Sequence, residues 1–224
     1  MLKKVRNSAA LFKTSFNNPD RAQVWGIEVE ARKSLDFLYL DLGLDFPGSV
    51  LFDFLSVGGN FTYVNAEVDR TAAEIARTRD WFGVVPGEFA RIGSYERSRR
   101  LFGQPEWIAN ADITFDSPEW GTTATLALFA ISDVLDAAGT ATLDGGGRPI
   151  ALTLDRYLDQ YHQLDLIVSQ KIWRGLTAKF SVKNLTDSTR RRIYDPEQTI
   201  GTVTERSWKY GRDYSFSLGY THEF

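Results

Sequence analysis

Residues 206–224, the last nineteen of the chain, alternate between two kinds of side chain with a period of two. Successive side chains of a β-strand point to opposite faces, so this period indicates a strand with one apolar face. A transmembrane β-strand needs about 9–11 residues of this pattern, with aromatic residues at both membrane interfaces. The segment therefore predicts a strand of a transmembrane β-barrel, whose apolar face carries Trp208, Tyr210, Tyr214, Phe216, Leu218, Tyr220 and Phe224.

Six further segments carry the same period, and helical spacing near 3.6 residues fits none of them. In residues 101–115, for example, Trp107, Ile113 and Phe115 alternate with Asn110 and Asp112. We therefore expect an all-β, antiparallel transmembrane barrel segment of about seven or eight strands that belongs to a larger barrel. The six further strands are predicted within residues 23–37, 54–68, 101–115, 121–133, 157–173 and 175–187.

The composition narrows the class of protein. No stretch approaches the ~18 consecutive apolar residues of a membrane helix, so a helical membrane protein is excluded. A hydrophobic content of 43% suits a barrel, since only the lipid-facing half of each strand must be apolar. A net charge of −3 gives no reason to expect nucleic acid as a partner. With no cysteine and two histidines that share no spacing, the sequence offers no disulfide, metal site or cofactor motif.

The connections between the predicted strands alternate in length. Those at 116–119 and 174–175 are short and contain Gly or Pro. Bacterial barrels have short periplasmic turns and long extracellular loops, which predicts the side of the membrane for each connection. The connection 38–53 is long for a periplasmic turn, and we expect its flanking strands to extend and meet at 46–49. The predicted extracellular loops are the long, polar connections 69–98, 134–156 and 188–205.

Two features do not fit a complete small barrel. Seven is an odd number of strands, whereas single-chain bacterial barrels have an even number and cannot leave sheet edges open in lipid. The N-terminus has two early lysines but only residues 9–12 as an apolar run, short of the ~7–15 residues of a signal peptide. We therefore expect that strands and an export signal are missing from the front of the chain.

Several local motifs occur together in a recognisable order. With them, the chain resembles the C-terminal part of a TonB-dependent receptor over nearly its whole length. The resemblance implies a bacterial outer-membrane transport receptor, not an enzyme, that takes up a scarce ligand of the siderophore-iron, cobalamin or glycan class. The motifs are GIEVEAR at 26–32, NFTYV at 60–64, GQPEW at 103–107 with Asn110, VKNLTD at 182–187, and RDYSF at 212–216 followed by the terminal Phe224.

The resemblance also implies a domain organisation and partners. Such receptors form a barrel of about 22 strands plugged by an N-terminal domain. Residues 1–224 are then the C-terminal portion of the barrel, with the plug and the signal peptide absent. The TonB complex is reached only through the missing N-terminal part. The other implied partners are outer-membrane lipid and lipopolysaccharide, the missing plug and N-terminal strands, and the barrel-assembly machinery.

Two groups of arginines lie at predicted extracellular ends of strands. Guanidinium groups pair bidentately with phosphate and carboxylate oxygens, so these residues are candidates for binding lipopolysaccharide phosphates or an anionic ferric chelate. The alternative is that they are solvated loop charges balanced by Asp187, Asp195 and Glu197. The candidates are Arg97, Arg99, Arg100, Arg190, Arg191 and Arg192.

Charged residues on the polar parity are expected to face the lumen. The favoured interpretation is a series of cross-strand charge pairs that line a wet interior, and the alternative is contact with ligand or plug. These residues are Glu30, Arg32, Asp112, Asp165, Lys179, Lys183, Lys209 and Asp213.

The C-terminal strand carries a second expectation that rests on the family resemblance. The barrel-assembly machinery is expected to recognise the terminal aromatic residue and the apolar positions before it. This assembly signal consists of Phe216, Leu218, Tyr220 and Phe224.

Three other interpretations stay open. A small self-standing barrel would need one more strand within residues 2–14. An outer-membrane hydrolase would need a serine beside His162 and Asn184, which fall on one face of two neighbouring predicted strands. A soluble β-sandwich would bury its apolar faces against each other.

Overall fold

The computed structural model describes residues 2–7, 10–15, 21–43, 49–72, 75, 98–143, 149–194 and 201–221. These residues are organised almost entirely as antiparallel strands. The strands are β1 (Leu2–Asn7), β2 (Ala10–Ser15), β3 (Ala22–Ser34), β4 (Leu55–Asp69), β5 (Ser98–Arg100), β6 (Trp107–Ser117), β7 (Thr122–Ile131), β8 (Val134–Ala137), β9 (Thr140–Leu143), β10 (Pro149–Thr153), β11 (Arg156–Leu158), β12 (Tyr161–Trp173), β13 (Leu176–Lys183), β14 (Thr189–Tyr194), β15 (Thr204–Lys209) and β16 (Asp213–Tyr220).

The largest sheet is a meander of seven strands in the order β3-β4-β6-β7-β12-β13-β16, with β5 pairing at one end of β4. We call it the seven-strand sheet. Each strand runs antiparallel to its neighbours. Its members coincide with the seven segments that the period of two predicts, and the all-β antiparallel fold class is confirmed.

A second, four-strand sheet has the order β8-β11-β14-β15. Its strands continue β7, β12, β13 and β16 beyond short breaks in the chain. Three apolar residues in register, Leu135, Tyr157 and Ile193, form its buried core. The predicted long loops 134–156 and 188–205 therefore contain strands, because pairing between distant segments orders their polar sequences.

The last predicted strand differs in one respect. Residues 206–224 are expected to form one strand, but β15 ends at Lys209 and β16 begins at Asp213. Gly211, with a φ of +78°, lies in the break. Its carbonyl oxygen accepts a hydrogen bond of 2.8 Å from the side-chain amide of Asn184, which holds the break in place.

The connection between β3 and β4 is helical rather than extended. Helix α1 spans Phe37–Leu40, and a 3-10 helix spans Ser49–Phe54. The amide of Leu40 donates to the carbonyl of Asp36, and the amide of Asp41 donates to that of Phe37. The expectation that β3 and β4 extend to meet at 46–49 is therefore wrong, because local backbone hydrogen bonds end β3 at Ser34.

Near the N-terminus, β1 and β2 pair with each other from Leu2 opposite Ser15 to Asn7 opposite Ala10. The sequence pattern predicts at most one strand here, so this hairpin was not expected. Further along the chain, β9 and β10 form another two-stranded sheet.

Both faces of the seven-strand sheet are open to solvent over much of their area. On the apolar side, Ile27 is 61% exposed and Leu218 is 60% exposed. A β-sandwich would bury such residues in a two-layer core. The exposed face therefore argues against the soluble-sandwich interpretation.

Candidate functional site

Strand register divides the seven-strand sheet into two chemically distinct faces. The apolar face carries the odd-numbered residues of β3, β4 and β6 and the even-numbered residues of β7, β12, β13 and β16. The polar face carries the other parity, which is mostly polar but includes Ile108, Phe129 and Ile167. The switch occurs at the turn between β6 and β7, where Ile113 lies opposite Leu126 and Phe115 opposite Ala124. One uninterrupted apolar surface therefore crosses all seven strands.

Aromatic side chains cluster at both ends of the apolar face. At one end, the rings of Trp25 and Tyr63 have centroids 5.6 Å apart, and Phe61 stacks on Trp107 at 6.4 Å. At the other end, three rings meet beside the turn between β6 and β7: Phe54, Phe115 and Trp120, with centroids 5.7–6.3 Å apart. Two aromatic zones that flank an aliphatic zone match the pattern of a wall that crosses a bilayer.

An ion pair on the polar face spans three strands. Arg32 on β3 reaches across Gly58 on β4 to the carboxylate of Asp112 on β6, with N–O distances of 3.0 and 2.6 Å. Both residues are register partners of Gly58, whose missing side chain leaves the path open. The predicted Arg32 and Asp112 therefore do pair, but across an intervening strand rather than as direct neighbours.

Neutral polar groups continue this face. The side-chain amide of Asn110 donates to Asn60 at 2.8 Å, and the hydroxyls of Thr114 and Thr125 lie 3.1 Å apart. The hydroxyls of Ser181 and Ser215 lie 2.7 Å apart. The face thus presents hydrogen-bonding groups from β4 to β16.

The remaining predicted lumen charges divide into two groups. Glu30 and Lys179 lie on the polar face, and Lys183 lies there opposite Asp213. Asp165 also lies on it and accepts hydrogen bonds from the amide of Asn184 and the side chain of Gln163.

Lys209 belongs to the four-strand sheet instead, where its ammonium lies 2.8 Å from the carboxylate of Asp187. The break after β15 places it outside the seven-strand sheet, and the expectation that it faces the lumen stays a prediction. The hydrogen bond from Lys209 lowers the pKa of Asp187 below its ordinary value.

The first arginine group lies where β5 leads towards β6. Arg100 donates to the carboxylate of Asp133 at 2.6 Å and lies 3.3 Å from Glu106. Its guanidinium also lies over the ring of Tyr157. Arg99 lies beside it in β5, and Arg97 is outside the described residues.

The second arginine group lies on β14. Arg190 stacks on the ring of Tyr161 at 3.6 Å, and Arg191 forms an ion pair with Asp159. Arg192 lies 2.9 Å from the carboxylate of Asp136. Of the three carboxylates expected to balance the arginines, Asp187 pairs with Lys209 instead, and Asp195 and Glu197 lie outside the described residues.

A charged network on the four-strand sheet was not expected from the sequence. Arg156 lies 2.8 Å from Asp136 and 3.1 Å from Glu205, and Arg192 shares both carboxylates. Partial burial alone would lower the pKa of Arg156. The hydrogen bonds and charges of Asp136 and Glu205 have the larger opposite effect, so the pKa of Arg156 lies above its ordinary value. Spacing gave no signal for this network, since its members are distant in the chain.

The predicted His162 and Asn184 do not form a catalytic pair in the described structure. His162 is exposed and lies opposite Ala130 on the apolar face. Asn184 is 5% exposed, and its side chain bonds the carbonyl of Gly211 and the amide of Ser188. Asn184 therefore stabilises a turn, and no described hydrogen bond joins His162 to a serine.

The predicted assembly residues Phe216, Leu218 and Tyr220 share the apolar face of β16. Their exposed fractions are 60–66%, so a continuous apolar strip runs along the last strand of the sheet. Phe224 lies outside the described residues.

Within the described ranges, no helix combines the length and the apolarity needed to cross a membrane. The same residues contain no group of three or more histidine, cysteine or carboxylate side chains suited to a metal ion.

Comparison with protein families gives a match over most of the chain. The family model described as "TonB dependent receptor-like, beta-barrel" matches residues 4–185. Among curated proteins, and among solved structures, no significant match to this chain is found. The matched residues include β3, β4, β6, β7, β12 and β13, which are six strands of the seven-strand sheet.

Proposed function

This chain belongs to the TonB-dependent receptor-like β-barrel family, and we propose that it forms the C-terminal portion of such a receptor's barrel. The family is one of outer-membrane proteins, and its general function is active transport across that membrane. Its members work with a plug domain and with TonB. In this proposal the chain forms part of the barrel wall, part of the lumen surface and some of the extracellular strands, and it has no role in energy coupling.

One observation carries the proposal: a single layer of seven strands has one apolar face and one polar face. In a bilayer the apolar face contacts lipid, and the polar face lines a wet lumen. The two aromatic zones then lie at the two interfaces. The short turns 118–121 and 174–175 face the periplasm, and the four-strand sheet extends outside the cell.

The chemistry of the lumen face and the outer strands supports a polar ligand, whereas the ligand class itself is taken from the family resemblance. Amides and hydroxyls of Asn60, Asn110, Ser181 and Ser215 can exchange hydrogen bonds with a hydrated, oxygen-rich solute. We propose a scarce ligand of the siderophore-iron, cobalamin or glycan class. The six arginines are candidate extracellular contacts, and Arg191, whose side chain is 49% exposed, is the most exposed of the five that the structure describes.

Further partners belong to the same proposal. Lipid and lipopolysaccharide contact the apolar face, and the remaining strands of the receptor complete the sheet at β3 and β16. The barrel-assembly machinery recognises the strip formed by Phe216, Leu218, Tyr220 and Phe224. The TonB complex acts through the N-terminal part of the receptor.

The membrane orientation is tested by spin labels on neighbouring residues of β13. In the full-length receptor in outer-membrane vesicles, a nitroxide at Phe180→Cys should be accessible to oxygen dissolved in lipid. A nitroxide at Ser181→Cys should be accessible to a water-soluble nickel complex instead. Equal accessibility at both sites would contradict the two-faced wall.

The transport role is tested by deletion of the receptor gene. The deletion strain should lose growth on one of three limiting sources: a ferric siderophore, cobalamin or an oligosaccharide. The intact gene should restore it. Unchanged growth and uptake on all three would overturn the proposed ligand classes.

A further inference from the structure

The polar face of β12, β13 and β16 arranges its side chains in rows set by strand register. Lys183 lies opposite Asp213 in one row. Lys179 lies in another, between Ser169 on one side and Ser217 on the other. Lys171 lies opposite Thr177 in the row nearest the turn 174–175, and Thr177 in turn lies opposite Gly219.

The three lysines differ in how their charges are balanced. Lys183 lies opposite Asp213 on β16. On its other side, Asp165 is the nearest residue of β12, because Asp165 precedes Leu166 and Lys183 follows Val182 in an antiparallel register pair. Lys171 and Lys179 are diagonal neighbours on adjacent strands and are both exposed. Diagonal neighbours lie ~7–8 Å apart, so their like charges repel rather than compensate each other.

The surroundings of Lys171 and Lys179 contain hydroxyls instead of carboxylates. Their register partners are Ser169, Thr177 and Ser217, each a neutral hydrogen-bonding residue. Neither lysine belongs to an ion pair between described residues. We call the surface formed by Lys171, Lys179, Ser169, Thr177 and Ser217 the lysine patch.

The rest of the polar face makes the lysine patch distinctive. On the β3 side, Arg32 is neutralised by Asp112. The carboxylate of Asp116 accepts a hydrogen bond of 2.9 Å from Thr123, which is the register partner of Ser169. Asp116 on β6 is therefore separated from Lys179 by two strands and from Lys171 by one. Among the described residues, no carboxylate is a register partner of either lysine, and none forms an ion pair with it.

We propose that the lysine patch is a docking surface for an acidic segment of the plug domain. This inference rests on the proposed function, since it requires the polar face to line the lumen. Two exposed ammonium groups surrounded by hydroxyls fit carboxylates, which accept hydrogen bonds from both kinds of donor.

The position of the patch favours a resident domain over a passing solute. The patch lies next to the short turn 174–175, at the opposite end of β12 and β13 from the four-strand sheet. A solute captured outside the cell reaches this end last and stays briefly. A domain seated in the lumen balances the two charges for as long as the receptor is closed.

The test uses the full-length receptor in planar lipid bilayers, with ion conductance recorded as urea is raised. Conductance rises when the plug unfolds or leaves the lumen. Exposed ion pairs contribute modestly, so Lys171→Glu with Lys179→Glu should raise the open fraction at a fixed urea concentration about tenfold. The shift should shrink in 1 M salt, because the Debye length falls to about 3 Å there.

Lys183→Gln is the matched control, since its acidic neighbours belong to the barrel itself. It should leave the urea dependence of conductance unchanged. Melting of the barrel, followed by heat-modifiable migration, checks that each variant is folded. If the double variant folds and its conductance matches the wild type, the docking proposal is overturned.

Two other outcomes would also decide against the docking proposal. Reduced ligand uptake with unchanged plug opening would assign the patch to an anionic solute. A wild-type receptor that shows no urea-dependent opening at all would contradict the plugged-barrel function itself. Failure of the docking proposal can therefore be distinguished from failure of the proposed function.

Discussion

Two adjacent glycines of β4 provide a sharp test of how the wall is packed. Gly58 lies on the polar face, and Gly59 lies on the apolar face. A Cβ at Gly58 would lie 2.6 Å from the guanidinium carbon of Arg32. A Cβ at Gly59 would lie 2.8 Å from the backbone oxygen of Asn110. The first obstacle is the end of a flexible side chain, whereas the second is part of the sheet.

The two Gly→Ala substitutions should therefore differ in cost. At Gly58, Arg32 swings away and its ion pair with Asp112 is lost; these side chains are 57% and 19% exposed. Such an exposed pair contributes little, and Ala in a strand regains about 0.5–1 kcal/mol over Gly. The free energy of unfolding should thus change by no more than about 1 kcal/mol. At Gly59, displacement of the backbone should lower the free energy of unfolding by about 1–3 kcal/mol. The gain from replacing Gly by Ala in a strand offsets only part of this loss.

The measurement is equilibrium urea unfolding of the full-length receptor in detergent, followed by tryptophan fluorescence. In an Arg32→Ala background, Gly58→Ala should stabilise the barrel, because nothing then occupies the space above the glycine. Gly59→Ala should show no such coupling to Arg32. If the two substitutions cost the same, or if Gly58→Ala costs as much with Arg32 absent, the three-strand bridge does not exist.

Three further predictions concern the junction of the two sheets and the last strand. Asn184→Ala should lower the free energy of unfolding by about 1–3 kcal/mol, because it leaves buried backbone groups at the turn without partners; urea unfolding measures it. The pKa of Asp187 is lower in the folded protein than the ordinary Asp value, because Lys209 donates a hydrogen bond to it. The ion pair therefore stabilises the fold fully at any pH above the ordinary Asp pKa, and this stabilisation is lost as the pH falls through the lower pKa of the folded protein. Amide exchange in β14 and β15 should therefore accelerate only below about pH 4, and Asp187→Asn should remove that dependence. In the full-length receptor, Phe216→Ala should reduce the amount assembled in the outer membrane, whereas the opposite-face control Ser217→Ala should not; equal losses on immunoblots would remove the face-specific assembly signal.

The sequence was most informative where structure depends on local alternation. The faces of Trp107 and Asp112 follow from numbering parity alone, since a strand turns each successive side chain over. The same argument correctly assigned Phe216 and Leu218 to one face. The confirmed seven-strand sheet therefore rests on information contained within each segment.

The sequence was least informative where structure depends on pairing between distant segments. Strands β8, β11, β14 and β15 are only three to six residues long and gain their order from one another. The partners of Arg191 and Arg192 proved to be Asp159 and Asp136, which are far from them in the chain. A positive φ of 59° at Asn184 likewise has no signature in the period of two.

The unpaired edges of the seven-strand sheet are the reason to expect a larger barrel. Among the described residues, β3 and β16 each pair on one side only, and in lipid each unsatisfied backbone group costs several kcal/mol. Folded proteins are stable by only about 5–15 kcal/mol, so both edges must be paired in the membrane. In the part of the chain that the structure describes, β1 and β2 pair with each other and not with β3. The first and last of an odd number of antiparallel strands run in the same direction, so β3 and β16 cannot pair with each other in an antiparallel bacterial barrel. The described strands therefore support a wall that other strands of the receptor complete.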